Sequence, residues 1–413
     1  MTEGSAAARS FGFKVALFYG AIFVIYGMHV PFTPVWLDWR GLSAAEISTV
    51  MAAPFFLRLF VTPAVALAAD RAGSHRTSLI VLAWMGLILV LLLSQAASFW
   101  PILLLIVPLI ICNSTIMPLT ETVAVKGVRD AGLDYGRMRL WGSLTFVAAR
   151  FAGGLAIDHY GAGAGIWLVA LGCALTVLAA HYLPRISTKP DPAAPSLSPL
   201  WHVTEPRLLL GSKPFVVFLF AAGLVQAAHA TLLTFGTLIW QKQGMSAGLC
   251  GVLWAIAVFA EVLLFAFSGK LIARFGAAHL LMLGAASSVL RWAVMAFDPP
   301  LGVLVPLQIL HAFTYGGAHI GAIHFIHQAV PVGMQGSAQA LYATIASGLA
   351  MGIATLIAGW LYAGYGGGSY WAMAVISLVA LMASIVLHRI WDRKPLLEAA
   401  TTTAAENPCA SAH

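Results

Sequence analysis

The chain has 413 residues, of which 60% are hydrophobic and only 9% are charged, and its formal net charge is +7. Soluble proteins carry about 25% charged residues. So few charges cannot cover a water-facing surface of this size, which excludes a wholly soluble protein and predicts that most of the surface faces lipid.

Twelve segments are long and apolar enough to cross a bilayer, for which a helix needs about 20 consecutive apolar residues. Polar residues, glycines and prolines separate them along the chain. The predicted spans are 12–36, 44–69, 77–98, 100–122, 138–158, 163–183, 213–239, 247–272, 278–297, 300–327, 337–363 and 369–391. The expected fold is an all-α integral membrane protein with twelve transmembrane helices.

The longest polar interruption separates the sixth span from the seventh. It predicts an N-terminal six-helix bundle over 1–184, a cytoplasmic linker over 185–212, a C-terminal six-helix bundle over 213–394 and a disordered cytoplasmic tail over 395–413. With a cytoplasmic N-terminus, all but five of the 22 Lys and Arg residues fall in cytoplasmic segments. This is the positive-inside rule, so the basic charge indicates topology and not a nucleic-acid partner.

The two halves resemble each other at one constant offset. The segment 41–43 (Gly-Leu-Ser) corresponds to 244–246 (Gly-Met-Ser), and 70–73 (Asp-Arg-Ala-Gly) corresponds to 273–276 (Ala-Arg-Phe-Gly). Parallel repeats of this kind are typical of transporters whose halves rock about a central site.

The loop after the second span resembles the signature loop of the major facilitator superfamily. Asp70, Arg71, Gly73 and Arg76 hold its spacing, while an alanine and a histidine replace its leading glycine and one of its bases. The resemblance implies two pseudo-symmetric six-helix bundles and a conformational latch formed by these four residues with Arg274 of the second half.

The segment 121–142 resembles lactose permease and the phenylpropionate permease (3-phenylpropionic acid transporter) group. Glu121 and Arg139 fall where lactose permease carries its sugar-binding Glu–Arg pair, and Phe146 falls where it stacks sugar on a tryptophan. Such a pair can hold a polar substrate through bidentate hydrogen bonds. The alternative is a salt bridge at the cytoplasmic boundary.

The second half extends this resemblance. Arg291 matches the lactose permease arginine that tunes its proton carrier, and His311 matches its tenth-helix histidine. The proton-carrying glutamate of lactose permease falls on Thr314 here, and the preceding lysine falls on Gln308. These departures argue against galactoside binding and against an identical proton route.

We predict that Glu261 carries the coupled proton, because a carboxylate desolvated inside a membrane can load and release one. Arg291 would favour proton release, and His311 or His319 would relay the proton. The alternative is a structural ion pair between Glu261 and Arg58, its counterpart in the first half.

Arginines outnumber glutamates among the charges predicted to lie in the membrane, which suits an anionic substrate. The predicted substrate-binding residues are Glu121, Arg139, Phe146, Arg150, His29 and His229. The expected function is secondary active transport by alternating access, as proton-coupled symport of a small organic acid similar to 3-phenylpropionate. A sugar or nucleoside symporter and a proton-antiporting exporter stay open as alternatives.

The sequence has no Gly-x-x-x-x-Gly-Lys-Ser/Thr phosphate loop and no His-Glu-x-x-His pair, so neither ATP-driven transport by this chain nor enzyme activity is predicted. The four cysteines lack metal spacing, and no metal or cofactor is expected beyond the proton gradient. The expected partners are a small-molecule substrate, protons and the lipid bilayer. The chain is predicted to act as a monomer in a bacterial-type inner (cytoplasmic) membrane, with both termini cytoplasmic.

Overall fold

A computed structural model describes residues 3–71, 75–184 and 204–396. Within these ranges nearly every residue is helical and no strand occurs, as expected in lipid, where a helix satisfies its own backbone hydrogen bonds. The first half consists of six helices. They are α1 (Glu3–Trp39), α2 (Ala44–Arg71), α3 (His75–Gln95), α4 (Phe99–Ala131), α5 (Tyr135–Tyr160) and α6 (Ala164–Tyr182).

The second half also has six spans, and four of them are interrupted. They are α7 (Lys213–Ala227 and Ala230–Lys242), α8 (Ala247–Ala266), α9 (Ser268–Met295, with non-helical backbone at Gly276), α10 (Leu301–Ile309, Ala312–Gly317 and Ala318–Ala329), α11 (Gln335–Tyr342, Ala343–Ala350 and Met351–Tyr365) and α12 (Tyr370–Ile390). The predicted twelve-helix fold is confirmed.

The break at Gly276 falls between the predicted spans 247–272 and 278–297. The interruptions of α7, α10 and α11 are absent from the prediction, which gives these spans as continuous helices. In α10 the segment Ala312–Gly317 is π-helical, and in α11 the segment Ala343–Ala350 is π-helical. A π-helical turn widens the helix and shifts the hydrogen-bonding register of its carbonyl groups, and such turns are frequent at functional sites. Both segments lie in the middle of their spans.

A short helix, Thr204–Gly211, lies inside the segment predicted to be a linker. Its Glu205 Oε2 accepts a hydrogen bond of 2.6 Å from Ser337 Oγ at the start of α11. The end of the linker is therefore helical and attached to the second half. Residues 185–203 of the linker and the tail beyond residue 396 lie outside the described residues.

The sequence repeat corresponds to a structural repeat. Gly41 and Gly244 both adopt positive φ, 83° and 88°, in the loops that follow α1 and α7. In each half a serine then caps the next helix: Ser43 exchanges hydrogen bonds with Glu46, and the Ser246 side chain accepts one from the backbone of Leu249. These serine caps satisfy amide groups that have no partner within the helix. Residues 244–248 also match the Gly-x-Ser-x-Gly pattern of hydrolases, but here the serine is a helix cap.

The two halves contact each other at the end of the bundle that carries the α1–α2, α5–α6 and α7–α8 loops, which we call the distal end. There the carboxylate of Asp158, at the end of α5, accepts hydrogen bonds from the backbone amides of Ala247 (2.6 Å) and Gly248 (2.8 Å) in the first turn of α8. On α2, Ser48 faces Gly359 of α11. If both termini are cytoplasmic, the distal end faces away from the cytoplasm.

Candidate functional site

The predicted pair of Glu121 and Arg139 is formed, with 3.5 Å between Glu121 Oε1 and Arg139 Nε. Tyr135 Oη donates a 2.7 Å hydrogen bond to the other carboxylate oxygen, and the Arg139 guanidinium lies 4.2 Å from the centroid of the Phe23 ring. Both charged side chains are about 30% exposed. The pair joins the C-terminal part of α4 to the first turn of α5 and is open enough to contact a ligand.

Further along α5, Phe146 and Arg150 lie against each other, with the guanidinium carbon 4.1 Å from the ring centroid. Arg150 is only 4% exposed, and its Nη1 donates a 3.1 Å hydrogen bond to the carbonyl of Trp254 in α8. Arg150 therefore crosses from the first half to the second, and a protein carbonyl occupies one of its donors.

The predicted proton-coupling residues of the second half come together. Glu261 Oε2 of α8 lies 3.5 Å from His311 Nε2 of α10, and His311 Nδ1 lies 3.0 Å from Arg291 Nη1 of α9. The Glu261 side chain is 15% exposed and the His311 side chain 9%, so both are shielded from water. His319, one π-helical segment further along α10, is half-buried and lies within electrostatic range of Glu261.

The geometry fixes the tautomer of neutral His311. A guanidinium group has donors and no acceptor, so His311 Nδ1 must accept the hydrogen bond from Arg291. The ring proton then lies on Nε2, which faces Glu261. His311 cannot gain a second proton without breaking its bond to Arg291, whereas Glu261 can be protonated with that bond intact.

Arg291 is fully buried, and the hydrogen-bond partners that the structure shows for it are neutral. Besides His311 it donates to Gln308 Oε1 (2.8 Å) and Thr314 Oγ1 (3.1 Å). The sequence departs from lactose permease at both of these positions, and the departures leave Arg291 surrounded by polar groups without charge. Thr314 Oγ1 also lies 3.2 Å from Nε2 of His229, which places this histidine beside the cluster of Glu261, His311 and Arg291.

His29 lies elsewhere, in a cavity between α1, α2, α4, α7 and α11, where its Nδ1 is 2.9 Å from Thr33 Oγ1. The cavity has a volume of about 230 Å³ and is lined mainly by apolar side chains. Arg58 also lines it, and its Nη2 donates to the carbonyl of Ser347 in the π-helical segment of α11. The sequence indicated a positively charged cavity that includes Arg58, but this residue was not among the predicted substrate-binding residues.

The alternative ion pair between Arg58 and Glu261 is not formed in this structure, in which Arg58 binds the Ser347 carbonyl. Glu261 instead lies within electrostatic range of Arg150.

The proposed latch is only partly described. Arg76 Nη2 donates a 2.7 Å hydrogen bond to the His181 carbonyl at the end of α6, within its own half, and Arg274 is exposed. The side chains of Asp70 and Arg71, and the whole of Gly73, lie outside the described residues.

Comparison with known proteins agrees with this architecture. A family model described as the MFS_1 like family matches residues 13–373. The Probable 3-phenylpropionic acid transporter of Escherichia coli (strain K12) is 31% identical over 372 residues, which cover 89% of this chain and 95% of that protein. The Maltose permease of Geobacillus stearothermophilus is 30% identical over 391 residues, covering 93% and 96%.

Solved structures show the same fold. The crystal structure of nucleoside transporter NupG has a TM-score of 0.83 at 18% identity and covers 92% of this chain and 100% of that one. A D-xylose–proton symporter structure has a TM-score of 0.66 at 14% identity, covering 92% and 97%. The matched length and the identity to whole transporters establish that the chain belongs to the MFS_1 like family and is a multi-pass secondary transporter of the major facilitator superfamily, not an enzyme.

Proposed function

We propose that the protein is a proton-coupled symporter of a small organic acid similar to 3-phenylpropionate, working by alternating access in a bacterial inner membrane with both termini cytoplasmic. The observation that carries the proposal is the Glu261–His311–Arg291 network, a shielded carboxylate 3.5 Å from a histidine of fixed tautomer. A carboxylate inside a membrane is costly and is usually functional.

In this proposal Glu261 carries the proton. When Glu261 is deprotonated, the His311 Nε2–H and the nearby Arg150 guanidinium both stabilise its negative charge. Arg150 belongs to the first half and Glu261 to the second, so protonation of Glu261 weakens an attraction between the halves. A single proton thereby changes the relative stability of two arrangements of the bundles, which is what coupling requires.

The substrate class rests on two lines of support. One relative that matches nearly the whole chain is named as a probable 3-phenylpropionic acid transporter. Four arginines, Arg58, Arg139, Arg150 and Arg291, lie inside the described membrane helices together with two glutamates, Glu121 and Glu261. An excess of cations inside the bundle favours an anion.

A second candidate is proton-coupled sugar uptake. The Maltose permease relative is nearly as similar, and the partly exposed Glu121–Arg139 pair offers an acceptor and a donor for sugar hydroxyls. This sugar candidate is retained because the uptake assay described next distinguishes it from the organic-acid candidate.

The test is uptake of labelled 3-phenylpropionate into proteoliposomes, with an inward proton gradient and with the gradient collapsed by a protonophore. We expect accumulation above the external concentration only under the gradient, and inhibition by unlabelled acid but not by maltose. Empty liposomes control for diffusion of the protonated acid. Accumulation of labelled maltose without uptake of the acid would favour the second candidate.

A further inference from the structure

The cavity between α1, α2, α4, α7 and α11 has the character of a small-ligand site. Its volume of about 230 Å³ is below the roughly 300–1,000 Å³ usual for drug-sized ligands. Its walls include Ile25, Tyr26, Met51 and Phe55, with Asn113 among its polar residues. This space suits a single ring with a short chain better than a disaccharide.

Among the described residues that line this cavity, Arg58 alone carries a full charge. Its guanidinium carbon lies 4.8 Å from the Phe55 ring centroid, and its hydrogen-bond partner is the neutral carbonyl of Ser347. A cation over an aromatic ring in an apolar cavity is incompletely neutralised, and a carboxylate is the group that would neutralise it through two parallel hydrogen bonds.

The other membrane arginines are less available to a ligand. Arg139 is already paired with the carboxylate of Glu121. Arg150 and Arg291 are buried at 4% and 0% exposure and donate to protein groups. Arg58 is only half-buried, so its remaining donors can be reached from the cavity.

We propose that Arg58 binds the carboxylate of the transported acid in this cavity, with the hydrocarbon part against Phe55 and Tyr26. The inference rests on the proposed function and extends it by assigning the anion site to a residue outside the predicted substrate set. The ligand class is a small aryl or alkyl monocarboxylate.

The position of Arg58 also connects the anion site to the rest of the transporter. Its bond to Ser347 joins α2 of the first half to α11 of the second, so a carboxylate that takes the same donor replaces a contact between the halves. Tyr315, which stacks on His311 at 5.3 Å between centroids, lies within electrostatic range of both Arg58 and Glu261. Substrate and proton sites are therefore neighbours.

The experiment compares binding of 3-phenylpropionate and of 3-phenylpropionamide, its neutral analogue, to the purified full-length protein by calorimetry. For the wild type we expect the acid to bind at least about tenfold more tightly, as a charge-assisted pair allows. Arg58→Gln should abolish that preference while still binding the amide, and Arg58→Lys should keep part of it. If Arg58 had only a structural role, Arg58→Gln would weaken the binding of the acid and of the amide equally.

Arg40→Gln is the matched control, because Arg40 also donates to a backbone carbonyl, that of Ser94, and also lies over an aromatic ring, that of Trp39. It should keep the full preference for the acid. If Arg58→Gln kept that preference, the Arg58 site would be wrong while the proposed function stood. If the wild type bound no acid, the proposed function would fail and this inference with it.

Discussion

Glu261 lies beside a histidine whose second nitrogen is engaged by an arginine, and this arrangement makes a sharp prediction for one side chain. Glu261→Gln keeps the size and one carbonyl acceptor but cannot exchange a proton. We expect it to lose accumulation of substrate under a proton gradient and to retain exchange of labelled for unlabelled substrate, which needs no net proton movement. Proteoliposome uptake and counterflow measure the two activities separately.

The matched control is Glu121→Gln, which removes a carboxylate that is about 30% exposed and paired with Arg139. It should leave the ratio of accumulation to exchange at the wild-type value. If the Glu261→Gln transporter still concentrated substrate as strongly as the wild type, a group other than Glu261 would have to carry the coupled proton.

Contacts between individual side chains are also what the sequence alone predicted least well. Glu261, Arg291 and His311 were found because charged and imidazole groups are costly in lipid and therefore conspicuous in an apolar chain. The roles of Gln308 and Thr314 as neutral partners of Arg291 depend on how α9 and α10 pack. Pairwise contacts between distant segments leave no local signal in one sequence.

At the scale of helices, the contact between α5 and α8 is built from a carboxylate and a helix end. Asp158 accepts hydrogen bonds from two backbone N–H groups of α8 that have no partner within the helix. Asp158→Ala removes two charge-assisted bonds, each worth roughly 1.5–3 kcal/mol. We expect the population of the distal-open state to rise at least about tenfold.

Distances between spin labels attached at Ala97→Cys and Gly302→Cys, one in each half and both exposed near the distal end, measure this shift. The described native cysteines Cys112, Cys173 and Cys250 are buried, and Cys409 is replaced by serine. Asp158→Asn, which keeps one acceptor, should give an intermediate distribution. Identical distributions for all three proteins would show that this contact does not hold the distal end closed.

Helix positions were more predictable than helix interiors. The predicted span 44–69 agrees with α2 and 369–391 agrees with α12 to within a few residues, because hydrophobic length in lipid almost determines a span. The predicted span 100–122 was too short, since α4 continues to Ala131 and ends at Gly132 with φ 60°. A polar stretch at the membrane boundary can be helical, and hydropathy does not detect it.

At the scale of the whole molecule, a distal end closed by contacts between the halves has a consequence for alternating access. Ser48 of α2 is 2% exposed and faces Gly359 of α11, so a cysteine at this position is covered while the distal end is closed. A carrier that alternates must uncover it during each cycle. A channel-like path would leave it equally reactive whether or not transport occurs.

We therefore expect the Ser48→Cys protein in right-side-out membrane vesicles to react slowly with a membrane-impermeant maleimide at rest and several-fold faster during proton-driven uptake. Addition of Asp158→Ala should give the fast rate without substrate, since it removes the contact that closes the same end. Cys112 and Cys173, buried within the first half, serve as internal controls and should stay unlabelled throughout. A labelling rate of the Ser48→Cys protein that changed neither with transport nor with the Asp158 substitution would show that this end of the interface stays closed. The model in which two rigid halves rock would then be wrong, and transport would have to use motions of single helices.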